Sequence, residues 1–217
     1  MSLIKVIDFK SLGDERGSLI SLEQNKNIPF EVKRIYYIFN TQKGVSRGFH
    51  AHRHLEQIAI CVKGSCRFIL DDGNTREEVL LDSPTKGLYI NNNKWREMHD
   101  FSEDCVLMVL ASEYYDESDY IRDYPDFIKH VKGVQKMKKL ILEKFNESLE
   151  QTGKTVQFDT LNDDAVLLET GLDSLDFAIL VTLLEEELDL DPFQLMDEPV
   201  YPTTFGEFVA IYEKFNV

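Results

Sequence analysis

Short alternating runs of apolar and polar residues dominate the chain from Lys33 to about Leu110. Residues 33–39, 56–62, 66–70, 78–81, 87–90 and 106–111 are rich in β-branched and aromatic side chains, the composition of strands. Turn signals separate them at Lys63-Gly64-Ser65, Asp71-Asp72-Gly73-Asn74 and Ser83-Pro84. The runs lie too close together for helical crossovers, which predicts an antiparallel barrel or sandwich. Residues 119–131 read as a short helical closing segment bent near Pro125. After Gly133 the period lengthens to about 3.6 residues. Met137, Leu140, Ile141, Lys144, Phe145 and Leu149 line one helix over 136–149, and a loop with Gly153, Asn162 and Asp163 follows. A second helix is expected over 173–190 with Asp173 as its N-cap. Tyr201-Pro202-Thr203-Thr204 leads into a last one over 205–215. The expected second half is a small bundle of four unequal helices. With no internal repeat and no low-complexity linker, the change of period alone divides the chain into 1–133 and 134–217.

Charge sharpens that division. The 217 residues carry a net charge of −15, and residues 135–217 hold 18 acidic and 6 basic side chains, a net of −12 against −3 for the rest. Such asymmetry suggests two units with different partners, and so acidic a chain is no general nucleic-acid binder. A hydrophobic share of 43% with 29% charged residues excludes wholesale disorder. No apolar run approaches the roughly 20 residues that span a bilayer, and the N-terminus lacks a secretory apolar core, so neither membrane association nor export is expected. Cys61, Cys66 and Cys105 are odd in number and lie in strand-like contexts. They read as buried reduced thiols of a cytoplasmic protein rather than a disulfide framework or a zinc cluster.

Candidate chemistry concentrates between Arg47 and Glu56. On a strand, His50, His52, His54 and Glu56 share a face that continues through Ile58, Ile60 and Val62. A face running from imidazoles to aliphatics suits a lumen that is dry at depth and polar at its mouth. Three readings compete: a surface strand with coincidental histidines; a metal site drawing on His50, His52, Glu56 and His99; and metal-free acid–base catalysis by an imidazole pair.

Gly44-x5-His50-x-His52-x3-Glu56 resembles the first motif of the cupin superfamily. The usual second motif, Pro-x-Gly before a histidine, is absent before His99, which weakens the metal reading. Over about residues 3–131 the chain resembles more narrowly the dTDP-4-oxo-6-deoxyglucose 3,4-oxoisomerases. The segments that carry this likeness are Asp14–Leu19, Asn25–Phe30, Lys33–Phe39, Arg47–His52, Leu70–Gly73 and Trp95–Ser102, with Arg96 standing where a histidine is expected. The resemblance implies a metal-independent, homodimeric cupin (a jelly-roll barrel) acting on dTDP-4-oxo-6-deoxyglucose, with His50 and His52 as acid–base pair. Tyr37 is then the expected phenolic donor to a developing oxyanion. Arg16, Arg34 and Arg47 are candidates for the diphosphate, and Trp95, Glu97 and His99 complete the expected substrate-binding set. The competing enzymatic reading is a sugar-nucleotide 3,5-epimerase, and the non-enzymatic one an inactive cupin scaffold that docks the second half.

Gly171-Leu172-Asp173-Ser174-Leu175 resembles the attachment motif of acyl carrier proteins, and the likeness extends over about 137–215. It implies a 4′-phosphopantetheine arm on Ser174 and an acidic surface around Glu185-Glu186-Glu187. It further implies a phosphopantetheinyl transferase and an acyltransferase as partners. The resulting expectation is multidomain: an all-β cupin followed by an all-α four-helix acyl carrier.

Overall fold

In a computed structural model, which describes residues 2–196 and 200–215, the chain forms two units, Met1–Val131 and Lys132–Val217. The first holds twelve strands: β1 (Lys5–Asp8), β2 (Leu12–Asp14), β3 (Gly17–Leu19), β4 (Arg34–Ile38), β5 (Arg47–His52), β6 (Gln57–Lys63), β7 (Cys66–Asp71), β8 (Arg76–Leu81), β9 (Lys86–Ile90), β10 (Trp95–His99), β11 (Val106–Ala111) and β12 (Tyr120–Ile121). Two five-stranded sheets result, in the orders β1-β9-β6-β11-β4 and β12-β5-β10-β7-β8, while β2 and β3 pair as a separate exposed hairpin. Every strand pairing is antiparallel, and the architecture is a cupin-like β-sandwich.

Ala59, Cys61, Phe68, Leu70, Leu88, Ile90, Met98, Leu107 and Val109 fill the space between the sheets. All three cysteines are buried and free, the sulfurs of Cys61 and Cys105 lying 3.8 Å apart. Burial pushes all three thiols above their ordinary pKa. The face expected to run unbroken from the histidines through Ile58, Ile60 and Val62 does not do so. Residues 53–56 leave the extended conformation, and the chain passes from the second sheet to the first. Ile58 and Ile60 consequently turn outward and pack under Phe9, Ile28 and Phe30 of the N-terminal segment.

The expected closing helix begins at Tyr124 and does not bend at Pro125. Proline in a first turn forfeits no intrahelical bond, and α1 runs on from Tyr124 to Gln151. Its first turns bury Phe127 and Val131 against Ala51, Trp95 and Ile121. The change of period near Gly133 therefore marks a change of packing partner, not a loop. In the second unit Met137, Ile141, Phe145 and Leu149 of α1 pack with Leu180 and Leu184 of α2 (Ser174–Leu188) and Phe205, Phe208, Val209 and Tyr212 of α3 (Phe205–Phe215).

Among the described residues there are three α-helices rather than four. Leu167–Thr170 is a 3₁₀ turn stopped by Gly171 at φ 89°, and Pro192–Gln194 is another. Asp173 caps α2 as expected, accepting from the backbone amides of Leu175 and Asp176, while Asp176 returns a bond to the Asp173 amide. No helix among the described residues is long and apolar enough to cross a membrane.

Candidate active site

His50 and His52 lie on β5 with their side chains between the sheets. The register fixes this: His50 pairs with Arg96, Arg96 with Leu70, and Leu70 belongs to the inner core. Ala51 faces the opposite way, into the cluster beneath α1. At the strand's start a bulge opposite Arg96 and Glu97 is accommodated by Gly48, whose φ is +90°. A Cβ there would stand 2.7 Å from the Arg96 carbonyl oxygen, so only glycine permits this approach.

Each imidazole is anchored through Nδ1. His50 Nδ1 donates to the Gly48 carbonyl at 3.0 Å, and His52 Nδ1 donates to Asp119 Oδ2 at 2.9 Å. A carbonyl oxygen and a carboxylate can only accept, so both rings carry the Nδ1 proton and present a bare Nε2. The Nε2 of His52 is buried without a partner, and no hydrogen bond among the described residues engages the Nε2 of His50. The rings stand edge to face with centroids 4.9 Å apart, and Tyr120 lies 5.0 Å from His50 and 4.2 Å from His52.

A buried cation sits beside the pair. Arg96 is 2% exposed, donating from Nη1 to Gln57 Oε1 at 2.8 Å and from Nη2 to the Lys94 carbonyl at 2.9 Å, with its Nε unpartnered. Gln57 Nε2 in turn donates to the Tyr36 hydroxyl at 2.9 Å. No ion pair among the described residues neutralises Arg96. Burial lowers its pKa to about 10, so it stays charged at neutral pH. Burial first, and then the Arg96 charge, hold His50 at about 3. Burial lowers His52 to about 4, partly opposed by its bond to Asp119. At pH 7 the site is a neutral imidazole pair next to a buried guanidinium with no carboxylate in direct contact. That arrangement can accept a proton from carbon and hold the negative charge that develops on oxygen.

Several expected site residues lie elsewhere. Tyr37 is 62% exposed and pairs with Met108 on the outward side of its sheet, so it does not join the histidines. Its neighbour Tyr36, pairing with Val109 of the inner core, joins Tyr120 as a phenol in the site. Trp95, Glu97 and His99 alternate with Arg96 and Met98 and occupy the other face of β10. The Trp95 indole donates to Glu97 Oε1 at 3.1 Å, and Arg76 does so at 2.8 Å. His99 bridges Glu97 Oε2 and Ser46. That network braces the outer face and is separate from the imidazole pair. Glu56 accepts from the Tyr89 hydroxyl, so His50, His52, Glu56 and His99 do not converge. The described residues contain no group of three or more His, Cys, Asp or Glu that could hold a metal ion.

Of the expected arginines, Arg34 belongs to the site, stacked over Tyr36 at 5.4 Å and Tyr115 at 5.6 Å, its Nε buried and unpartnered. Arg47 is exposed at the start of β5. Arg16 is exposed at the tip of the β2–β3 hairpin, tied to Asp14. Sequence reasoning missed Tyr36, Gln57, Asp119 and Tyr120. The parity of β4 offered Tyr36 as readily as Tyr37, whereas Asp119 lies 67 residues from His52 with no pattern linking them. In the second unit Ser174 is exposed at the first residue of α2.

Comparison with known proteins places the first unit. A TDP-4-oxo-6-deoxy-alpha-D-glucose-3,4-oxoisomerase from Aneurinibacillus thermoaerophilus is 61% identical over 127 residues, covering 58% of this chain and 91% of that protein. The crystal structure of a 3,4-ketoisomerase from Helicobacter canadensis superposes with a TM-score of 0.58 at 49% identity, covering 59% of this chain and 97% of that one. A histidine-to-asparagine mutant of the 3,4-ketoisomerase QdtA from Thermoanaerobacterium thermosaccharolyticum, in complex with TDP-4-keto-6-deoxyglucose, matches with a TM-score of 0.59 at 44% identity, covering 61% and 96%. The family model described as FdtA: WxcM-like, C-terminal, matches residues 2–132, so through its strand unit the chain belongs to that family.

Proposed function

We propose that the first unit converts dTDP-4-oxo-6-deoxyglucose to a dTDP-3-oxo-6-deoxyhexose. The enzyme is a sugar-nucleotide 3,4-ketoisomerase, as its named relatives are. The observation that carries the mechanism is the pair of neutral imidazoles with bare Nε2 atoms beside a buried Arg96 with no carboxylate in direct contact. The 4-ketone acidifies the proton on C3. One Nε2 removes that proton, the electron pair becomes the C3–C4 double bond, and the carbonyl π electrons move onto O4. Arg96 stabilises that oxyanion electrostatically, with Tyr36 as the nearby phenol. The O3 proton is transferred to O4 and the proton taken from C3 is returned at C4, which leaves the ketone at C3 and a hydroxyl at C4. Atoms and electrons balance without an external oxidant. Arg34, supported on two aromatic rings with a free Nε, is our candidate for the diphosphate, with exposed Arg47 and Arg16 as further ones.

Proton NMR of the full chain with dTDP-4-oxo-6-deoxyglucose in deuterium oxide tests this. The C3 proton signal disappears as a 3-oxo sugar accumulates, and unchanged substrate overturns the assignment. A 3,5-epimerase would exchange protons while the ketone stayed at C4.

For the second unit the reading is an acyl carrier armed on Ser174 by a phosphopantetheinyl transferase and served by an acyltransferase. An exposed serine at the first residue of a capped helix supports it. Incubation with coenzyme A and a phosphopantetheinyl transferase then adds one phosphopantetheine mass to the chain, and Ser174→Ala abolishes the addition. An unchanged mass in the parent chain removes this reading. Fused to the isomerase, such a carrier would supply acyl groups for N-acylation of an amino sugar formed from the 3-oxo product. The strand unit is expected to act as a homodimer.

A further inference from the structure

We propose that Asp119 is a positioning residue of the isomerase: it fixes the tautomer of His52 and gives that imidazole, rather than His50, the counter-charge it needs while it holds a proton. The inference deepens the isomerase reading and rests on it for its kinetic part.

The geometry is asymmetric. His50 is anchored on a neutral carbonyl, that of Gly48, whereas His52 is anchored on a carboxylate 2.9 Å away. Asp119 is itself immobilised, because its second oxygen accepts from the His54 backbone amide at 2.8 Å. Its own backbone carbonyl accepts from the Arg53 amide at 3.0 Å. The next residue, Tyr120, pairs with His52 across β12 and β5 and meets its ring edge-on, with centroids 4.2 Å apart. These contacts hold carboxylate and imidazole in one frame, with the Nε2 of His52 buried and without a partner. Burial pulls Asp119 upward, but the bonds from His52 and the His54 amide outweigh it and hold the carboxyl below its ordinary value. It is an anion when His52 becomes a cation, and it offsets the repulsion from Arg96. His50 has no such partner, so it is suited to relaying a proton while remaining neutral on average.

Asp119→Asn separates positioning from shape. Asparagine can keep the bond from the His54 amide through its oxygen. Its amide group then faces the Nδ1 of His52 as a donor. The ring must accept there, which moves the proton to Nε2 and removes the lone pair the reaction uses. The expected result is a fall in kcat of about 10²–10⁴-fold with KM changed little. Nitrogen-15 NMR of the imidazoles reads the cause directly: His52 carries its proton on Nδ1 in the parent protein and on Nε2 in the variant, while His50 is unchanged. Wild-type kcat in Asp119→Asn, or an Nε2-protonated His52 in the parent protein, overturns the proposal. The parent measurement needs no variant to fold. If the parent protein fails to isomerise the sugar while its His52 shows the Nδ1 tautomer, the isomerase reading fails and the structural pairing stands.

Discussion

His50→Asn and His52→Asn each lower kcat for isomerisation by about 10²–10⁴-fold, the range general acid–base groups supply. The double variant is scarcely worse than either single one, because the two rings act on one proton inventory and their contributions do not add. Asparagine retains a polar side chain on β5 without an imidazole's basicity, so dTDP affinity changes little. Single-turnover kinetics on the three variants, with dTDP affinity by calorimetry, check this; multiplicative losses would show that the rings work independently. The same pair fixes the acid side of the pH profile. Burial lowers His50 to about 3 and His52 to about 4, from an ordinary 6.5. Both rings remain neutral and basic well below pH 6. In the free enzyme kcat/KM therefore holds level through that pH and falls only as the imidazoles protonate near their depressed values. A limb near 6.5 would mean solvated histidines. Stability follows the same sign: a histidine whose folded pKa is depressed favours folding fully above about 6.5, and that contribution is lost as pH falls toward 4 and 3.

Arg96→Leu is the second large effect, and it separates activity from stability. The guanidinium is fully buried with no carboxylate paired to it, and burial lowers its pKa, which is the signature of an ion held at a cost. Removing it relieves that cost, although Gln57 Oε1 and the Lys94 carbonyl lose a donor. Tm is therefore expected to hold or rise while kcat falls about 10²–10³-fold, as for loss of an oxyanion-stabilising donor. The imidazoles, freed from a neighbouring cation, titrate higher, so the acid limb moves up in pH. Thermal unfolding and a pH–rate series on one preparation give all three readouts. Lost stability with unchanged kcat would make Arg96 a structural residue only.

Much of the strand unit was legible because its runs alternate cleanly and its turns carry glycine, asparagine and proline. The imidazole pair was legible for the same reason: His50 and His52 are two apart with alanine between them, and the small residue points into packed surface. Lys33–Phe39 is apolar on both faces, so the expected phenol Tyr37 and the observed one, Tyr36, are not told apart by pattern. A strand at the sheet's edge whose outer side is also apolar gives no signal of which phenol turns inward. Trp95, Glu97 and His99 were assigned to substrate on family likeness, although strand parity sets them against Arg96 and Met98. Asp119 was invisible because it reaches His52 only through the pairing of β12 with β5. In the helical unit, the cap at Asp173 followed from local chemistry. The continuity of α1 through Gly133 did not, since glycine and a change of period ordinarily mark a boundary.

The distribution of thiols gives the molecule a built-in clock. All three cysteines and the single tryptophan belong to the strand unit, and the helical unit has neither. Closed, the three sulfurs are shielded and far too weakly acidic to form thiolates at neutral pH. An alkylating reagent can therefore capture them only in moments when the sandwich opens. The rate of capture counts those openings, and Trp95 fluorescence follows the same event optically. The opening of the strand unit could thus be timed in the intact chain by probes that the helical unit does not carry.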